Sequence, residues 1–207
     1  MYKAYIKRVA DISLSVLGIV FLALPMAVIA LLIKITDPGP VMFRQQRVGR
    51  DKKLFEMYKF RSMRMSTPKD CPTHLLYNPG QYITPIGKIL RKTSLDELPQ
   101  LFNILAGHMS VVGPRPALWN QQDLIALRDK WGANGLRPGL TGWAQINGRD
   151  ELPVEQKAAL DGEYALALDA GFSKGLIMDI RCFFGTFLAV VTARGIHEGS
   201  RGNGGKE

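Results

Sequence analysis

The sequence predicts an α+β fold, mainly helical, that begins with an apolar membrane segment and carries a small β-hairpin behind it. Three observations lead there. A 22-residue run without a charge, Ile12 to Ile33, stands near the start of the chain. Two stretches rich in β-formers, Val41 to Arg47 and Lys53 to Ser62, flank Val48-Gly49-Arg50-Asp51. Beyond them, stretches of helical character alternate with glycine-proline punctuation. With 207 residues, 46% of them apolar, the chain is long enough to bury a core and too apolar to be disordered.

The apolar run comes first. Its length suffices to cross a hydrocarbon core of about 30 Å. It exceeds the roughly 7–15 residues of a signal-peptide core, and no small-x-small cleavage site follows it. Its flanks are basic on both sides: Lys3, Lys7 and Arg8 before, Lys34, Arg44, Arg47, Arg50, Lys52 and Lys53 after. The positive-inside rule then asks for both ends in the cytoplasm, which a single crossing does not provide. Pro25, near the middle, removes a helix hydrogen bond and bends or breaks the helix. From these residues a Pro-kinked span and a hairpin that re-emerges on its own side both remain open.

Asp37-Pro38-Gly39-Pro40 ends this helix. The two β-rich stretches form a hairpin at the membrane surface bearing Arg44, Arg47, Lys59, Arg61 and, just after it, Arg64. Met65 to Gln81 is a loop. Ile86 to Leu90 and Leu98 to Ala106 are short helices, and Ala117 to Lys130 and Val154 to Leu168 have helical character. Cys182 to Ala193, only 12 residues, is too short to span. It reads as a core helix first and an interfacial one second. The glycine-rich tail, 198–207, is expected to be disordered. The chain thus divides into an anchor (1–36), a main unit (37–197) and the tail.

A formal net charge of +9 calls for an anionic partner: nucleic acid, lipid headgroups or phosphorylated substrates. Cys71 and Cys182 lie far apart without ligand-like spacing, and the three histidines, His74, His108 and His197, form no HExxH. A disulfide framework, a zinc motif and a histidine-based metalloenzyme are therefore not indicated.

The chemistry concentrates at Thr93-Ser94-Leu95-Asp96-Glu97-Leu98-Pro99. Ser94-x-x-Glu97 matches a capping box, although Pro99 suits a later helix start with Asp96 as N-cap. Either register places Asp96 at a helix N-terminus, which favours a carboxylate and a phosphate beside it. Two adjacent carboxylates near a phosphate need a cation between them, and Mg²⁺ is the natural one. Asp is also a nucleophile type in covalent phosphoryl transfer. Arg91, Arg115, Arg137 and Arg149 sit in or beside turns, which can hold a guanidinium rigidly for bidentate phosphate binding. Glycine at position 142 would let backbone approach a ligand closely.

The chain resembles the bacterial sugar transferase family, the small monotopic phosphoglycosyl transferases. The matching pieces are Lys7-Arg8-x-x-Asp11, Gly39-Pro40-Val41-x-Phe43-x-Gln45, Lys59-Phe60-Arg61-Ser62-Met63, Ser94-Leu95-Asp96-Glu97-Leu98-Pro99-Gln100-Leu101, Met109-Ser110-x-Val112-Gly113-Pro114-Arg115-Pro116 and Arg137-Pro138-Gly139-x-Thr141-Gly142-x-Ala144-Gln145. Their order and spacing agree from about residue 3 to residue 196.

The resemblance implies a monotopic protein with a re-entrant helix-break-helix anchor in the bacterial cytoplasmic membrane and an active site on the cytoplasmic face. It implies a transfer of sugar 1-phosphate from a UDP-sugar to undecaprenyl phosphate, with release of UMP. Asp96 would be the covalent nucleophile, with Mg²⁺ held by Asp96 and, in support, Glu97. Lys59, Arg91 and Arg115 would contact phosphates, as would Arg137 and Arg149. Inner-membrane lipids surround the anchor, and a homodimer is left open. An N-acetylated amino sugar, in the first membrane step of glycoconjugate or capsule synthesis, is the expected cargo. Leu24-Pro25 stands where many relatives have Ser-Pro at the helix break.

The rival classes are a membrane-tethered nucleic-acid-binding protein and a noncatalytic scaffold. The first lacks aromatic residues interleaved with basic ones as stacking platforms, so no nucleic-acid partner is expected. The second would leave Asp96 and Glu97 as cap residues.

Overall fold

The computed structural model describes residues 2–67, 79–148 and 152–191. Arg149 and the tail beyond residue 191 lie outside them. The described chain is mostly helical, with two small sheets and one long apolar helix at its start. That helix, α1 (Lys7–Thr36), follows a turn of π-helix at Tyr2–Ile6. A hairpin of β1 (Met42–Val48) and β2 (Leu54–Phe60) comes next. After it come α2 (Pro85–Lys92), α3 (Gln100–Leu105), β3 (Ser110–Val112), α4 (Gln122–Lys130), β4 (Gly139–Thr141), α5 (Trp143–Ile146), α6 (Val154–Asp169) and α7 (Phe172–Val191).

Helix α1 buries a narrow seam. Asp11, Ser15, Met26, Ile29 and Ile33 are buried, and Ile19 and Leu22 are partly buried between them. Steps of four and three along this row keep one face on the body. The rest is apolar and open: Val9, Val20, Phe21, Leu24, Leu31 and Ile35 are all exposed. Only 17% of its most apolar window is buried, so it is not the core helix of this fold.

The expected break at Pro25 is not there as an interruption: one helix is continuous from Lys7 to Thr36 with Pro25 inside it. Pro25 lies on the exposed face. The seam runs past it in the same register, from Leu22 to Met26 and Ile29, so packing on both sides outweighs the one hydrogen bond that proline removes.

Three polar residues of the first motif tie α1 down. The Asp11 carboxylate, buried, accepts from Ser110 Oγ (2.8 and 3.0 Å) and from the Val111 N–H (2.9 Å). Arg8 donates to the carbonyls of Ile104 and Leu105 at the end of α3 (2.7 and 3.0 Å). Lys7 pairs at 2.9 Å with Asp179 of α7, which also accepts from Tyr2 and Tyr164 hydroxyls at 2.6 Å. Helix α1 is thereby joined to β3, α3, α6 and α7 by bonds a slipped register would break.

The hairpin pairs antiparallel from Met42↔Phe60 to Val48↔Leu54, with Phe43 opposite Lys59. Strands β3 and β4 pair parallel, Ser110 with Gly139 and Val112 with Thr141. Phe55, Met57, Leu101, Ile104, Met109, Val111, Leu136 and Tyr164 form the main core beneath them.

Helix α7 differs from the expectation of a core helix over Cys182 to Ala193. It starts ten residues earlier, and among the described side chains of its aromatic stretch only Cys182 is buried. Phe183, Phe184, Phe187 and Leu188 are exposed, because the helix buries one narrow stripe against α5 and α6 and turns the remainder outward.

Candidate active site

The site is assembled by one buried amide. Asn103, on α3, accepts a hydrogen bond from the Tyr58 N–H (2.9 Å) and donates to the Glu56 carbonyl (2.7 Å). It thereby binds α3 to the edge of β2 beside Lys59. The turn just before α3 carries the carboxylates, so Lys59 Nζ comes to lie 2.7 Å from Glu97 Oε1 and 4.0 Å from Asp96 Oδ2. Arg115 Nη2 reaches the same Glu97 oxygen at 3.3 Å.

Neither capping arrangement expected from the sequence forms. Ser94 has φ 57° and its side chain makes no cap bond, so Ser94-x-x-Glu97 is not a capping box. Asp96 is not an N-cap either: it sits inside a single 3-10 turn, Leu95–Glu97, and α3 starts only at Gln100, after Pro99. Proline has no N–H for an earlier helical start, so the chain takes successive short turns instead, Glu97 N–H to Ser94 O and Leu98 N–H to Leu95 O. A non-glycine residue with positive φ costs on the order of 1 kcal/mol. Here it reverses the chain after α2, and both carboxylates end up buried against β2.

Burial raises the Asp96 pKa above the usual carboxylate range. The Lys59 ammonium opposes this, Glu97 adds to it, and Arg91 and Arg115 lower it. Among the described residues no hydrogen bond reaches the Asp96 carboxylate, whereas Glu97 holds Lys59 and Arg115. The two neighbours are thus differentiated: Glu97 positions cations and Asp96 keeps its oxygen lone pairs.

Of the expected phosphate-binding residues, Lys59, Arg91 and Arg115 are brought together. Arg91 donates to Ser62 Oγ (3.1 Å) and to the Met63 sulfur (3.5 Å) while acting electrostatically on Asp96. Arg137 is not part of this cluster. Its Nε donates to the Gly107 carbonyl at 3.0 Å, and its charged neighbours are Arg8, Arg50 and Asp11. Arg149 lies outside the described residues. Arg47, which the sequence reading placed only on the hairpin, does belong here. It donates to Pro116 O (3.1 Å) and Gln45 Oε1 (2.7 Å), and burial, then Arg115, pull its pKa down to about 10.

The glycines have a different use from the one expected. The Gly113 N–H donates to Thr141 O and the Gly139 N–H to Pro114 O, both at 2.8 Å. A Cβ on Gly139 or Gly142 would collide with Gly113 backbone. They allow backbone to pack on backbone, which fixes the turn bearing Arg115.

The profile of the family described as bacterial sugar transferase matches residues 2–193. The chain belongs to the bacterial sugar transferase family. It is 41% identical over 166 residues to the UDP-glucose:undecaprenyl-phosphate glucose-1-phosphate transferase of Escherichia coli (strain K12), covering 77% of this chain and 36% of that one. It is 38% identical over 194 residues to the exopolysaccharide production protein PSS of Rhizobium leguminosarum bv. phaseoli, 90% of this chain and 96% of that one. A UDP-N-acetylgalactosamine-undecaprenyl-phosphate N-acetylgalactosaminephosphotransferase of Aeromonas hydrophila is 40% identical over 148 residues, 69% and 34% of the two chains. This chain thus spans only about a third of the length of the E. coli and Aeromonas relatives.

The donor set of this family member suits Mg²⁺. Among the described residues no three His, Cys, Asp or Glu side chains gather as a preformed metal cage. Mg²⁺ needs none, since it is held by one or two carboxylates together with substrate phosphate oxygens and water. Asp96, with unengaged oxygens and a pKa raised by burial, is a carboxylate that a divalent cation would stabilise in its ionised form. Glu97 lies next to it.

Proposed function

We propose that this chain moves a sugar 1-phosphate from a UDP-sugar to undecaprenyl phosphate at the cytoplasmic face of the bacterial inner membrane. The observation that carries the proposal is the cluster itself: a buried Asp96 without a hydrogen-bond partner among the described residues, beside Glu97, Lys59, Arg91 and Arg115. The relatives' names supply the substrate class.

In the first step an ionised Asp96 oxygen attacks the sugar-linked phosphorus of the UDP-sugar. The bond from that phosphorus to the oxygen bridging the two phosphates breaks, and UMP leaves with the electron pair. In the second step an oxygen of undecaprenyl phosphate attacks the phosphorus now bonded to Asp96. The carboxylate departs and the product is undecaprenyl diphosphosugar. Splitting the displacement lets a soluble donor and a membrane-held acceptor use one site in turn. Lys59 and Arg115, held by Glu97, face the negative charge that accumulates on the phosphoryl oxygens. Mg²⁺, held by Asp96 with Glu97 in support, supplies further charge neutralisation for the diphosphate when bound.

Residues 1–36 form the anchor and 37–197 the catalytic unit of this reading. Basic flanks at both ends of α1 favour a re-entrant anchor over a crossing, although the helix itself runs unbroken through Pro25. The exposed apolar stripe of α7 favours a helix lying in the interface. An N-acetylated amino sugar is the proposed cargo, handled in the first membrane step of a glycoconjugate or capsule pathway. The test is a panel of UDP-sugars incubated with the purified protein, undecaprenyl phosphate and Mg²⁺, read as UMP release. UDP-N-acetylhexosamines should turn over, and exhaustive chelation should abolish it. No UMP from any donor would overturn the reaction, and preference for UDP-glucose or UDP-galactose would overturn the choice of sugar.

A further inference from the structure

A cavity of about 880 Å³ lies beside the hairpin, lined by Val41, Phe43, Arg44, Gln46, Trp119 and Asn120 among others. That is the size range of a small-molecule site. Arg61 also lines it. This arginine is 5% exposed. Its Nη2 donates to the Asp37 carbonyl and lies 3.3 Å from Asp37 Oδ2, while Nε and Nη1 have no hydrogen-bond partner among the described residues. The guanidinium is ion-paired with Asp37, and its remaining donors would become available to an acceptor in the cavity on a small shift of the side chain. Gly39 leaves room for the guanidinium itself: any Cβ there would collide with Arg61 Nη1.

The hairpin relates the cavity to the carboxylate site. Phe43, in its wall, is the cross-strand partner of Lys59. The ladder goes on past β2, since the Arg61 N–H donates to Val41 O at 2.8 Å. Lys59 and Arg61, two residues apart, therefore share a face at roughly 6–7 Å, close enough for one diphosphate to touch both. Phe43 and Trp119, 37% and 54% exposed, offer ring faces for a base, and the amides of Gln46 and Asn120 match the alternating donors and acceptors of a pyrimidine edge. Arg44 and Arg61 are the charged residues of the lining; Asp37 lies 3.3 Å from Arg61 and Glu56 3.8 Å from Arg44.

We propose that this cavity is the nucleoside monophosphate subsite of the donor: Arg61 holds the phosphate that leaves as UMP, and Trp119 stacks on the uracil. The proposal rests on the transferase reading above. It separates the two phosphates of the donor along β2, the transferred one at Lys59 and Asp96, the departing one at Arg61.

The test is equilibrium binding of UMP and of uridine to the full-length protein in detergent, without lipid, by titration calorimetry. Trp119→Ala should weaken both ligands by roughly ten-fold, the scale of one lost base stack. Arg61→Met should bring UMP down to the affinity of uridine and leave uridine unchanged. Asn120→Ala, exposed and safe for folding, should weaken both ligands. Wild-type affinities in the Trp119→Ala and Asn120→Ala proteins would overturn the subsite while UMP release by the wild type kept the reaction standing. Unchanged UMP binding together with a raised KM for undecaprenyl phosphate would assign the cavity to the acceptor and overturn the proposal. A wild-type protein that neither binds UMP nor releases it would overturn the reaction as well.

Discussion

Replacing Lys59 with methionine keeps the length and removes the charge at the centre of the cluster. The Lys59–Glu97 contact is 2.7 Å, with side-chain exposures of 17% and 11%, so solvent screens it little. A hydrogen bond to a charged group contributes about 1.5–3 kcal/mol. Glu97 retains Arg115 at 3.3 Å, which places the expected loss near 2 kcal/mol, or a drop in melting temperature of about 4–8 °C for a chain of this size. A second effect falls on Asp96. Burial raises its pKa, and Lys59 is the strongest opposing influence. Without Lys59 the pKa rises further. The attack needs ionised Asp96, so activity disappears as pH falls through that pKa, and the acid limb of UMP release should move to higher pH. Lys59→Arg keeps the charge and should return the limb toward the wild-type position. Thermal melts and pH profiles of UMP release measure the two effects. A Lys59→Met protein that melts with the wild type and keeps its acid limb in place would refute the electrostatic coupling.

Asp96→Asn should be inactive yet at least as stable as the wild type at pH 8. The folded pKa of Asp96 lies above its unfolded value, so the fold favours the protonated acid; the penalty for ionisation develops as pH rises from the ordinary carboxylate range, about pH 4, through the folded pKa. The advantage of the asparagine should therefore shrink as melts are repeated toward pH 4, and an advantage largest in acid would contradict it. Asp11→Ala strands the Ser110 hydroxyl and the Val111 N–H beneath α1 and should destabilise by about 3–5 kcal/mol. A loss under 1 kcal/mol in denaturant titration would mean that this clamp is not what holds the anchor. For topology, Lys3→Cys and Lys52→Cys, each in a chain with Cys71 and Cys182 replaced, should both resist an impermeant thiol reagent in sealed cells. Labelling at one position alone would show a crossing helix.

The hairpin was legible because β-formers cluster on both sides of a Gly-Arg-Asp turn, and the strands fall at Met42–Val48 and Leu54–Phe60. Helix α6 was legible for the same kind of local reason, a propensity run closed off by proline at one end. The β3–β4 pair was not: each strand is three residues long and sits among Gly-Pro turns, with no periodicity to detect. Asp179 lies just before the apolar stretch at Cys182 to Ala193, and nothing local marks it. Its role depends on Tyr2 and Lys7, more than 170 residues away, and no local pattern encodes that. Arg137 looked equivalent to Arg115, since both adjoin a proline turn, but parallel pairing puts their side chains at different places. The capping box failed because Pro99 constrains the chain after Glu97 more strongly than Ser94 can direct it. Asp96 and Glu97 themselves were found by adjacency and by the family motif, and the structure adds which of them holds the cations.

The central claim is that Asp96 forms a covalent phosphosugar before the lipid enters. The most direct measurement is intact-protein mass spectrometry of the purified protein incubated with Mg²⁺ and a cognate UDP-sugar, with undecaprenyl phosphate left out. The account predicts one added phosphosugar, localised to Asp96 by peptide mapping, with an equal amount of UMP released. It predicts neither product for Asp96→Asn. Normal lipid-dependent turnover without any adduct or lipid-independent UMP would mean that the acceptor attacks the UDP-sugar directly, and would contradict it.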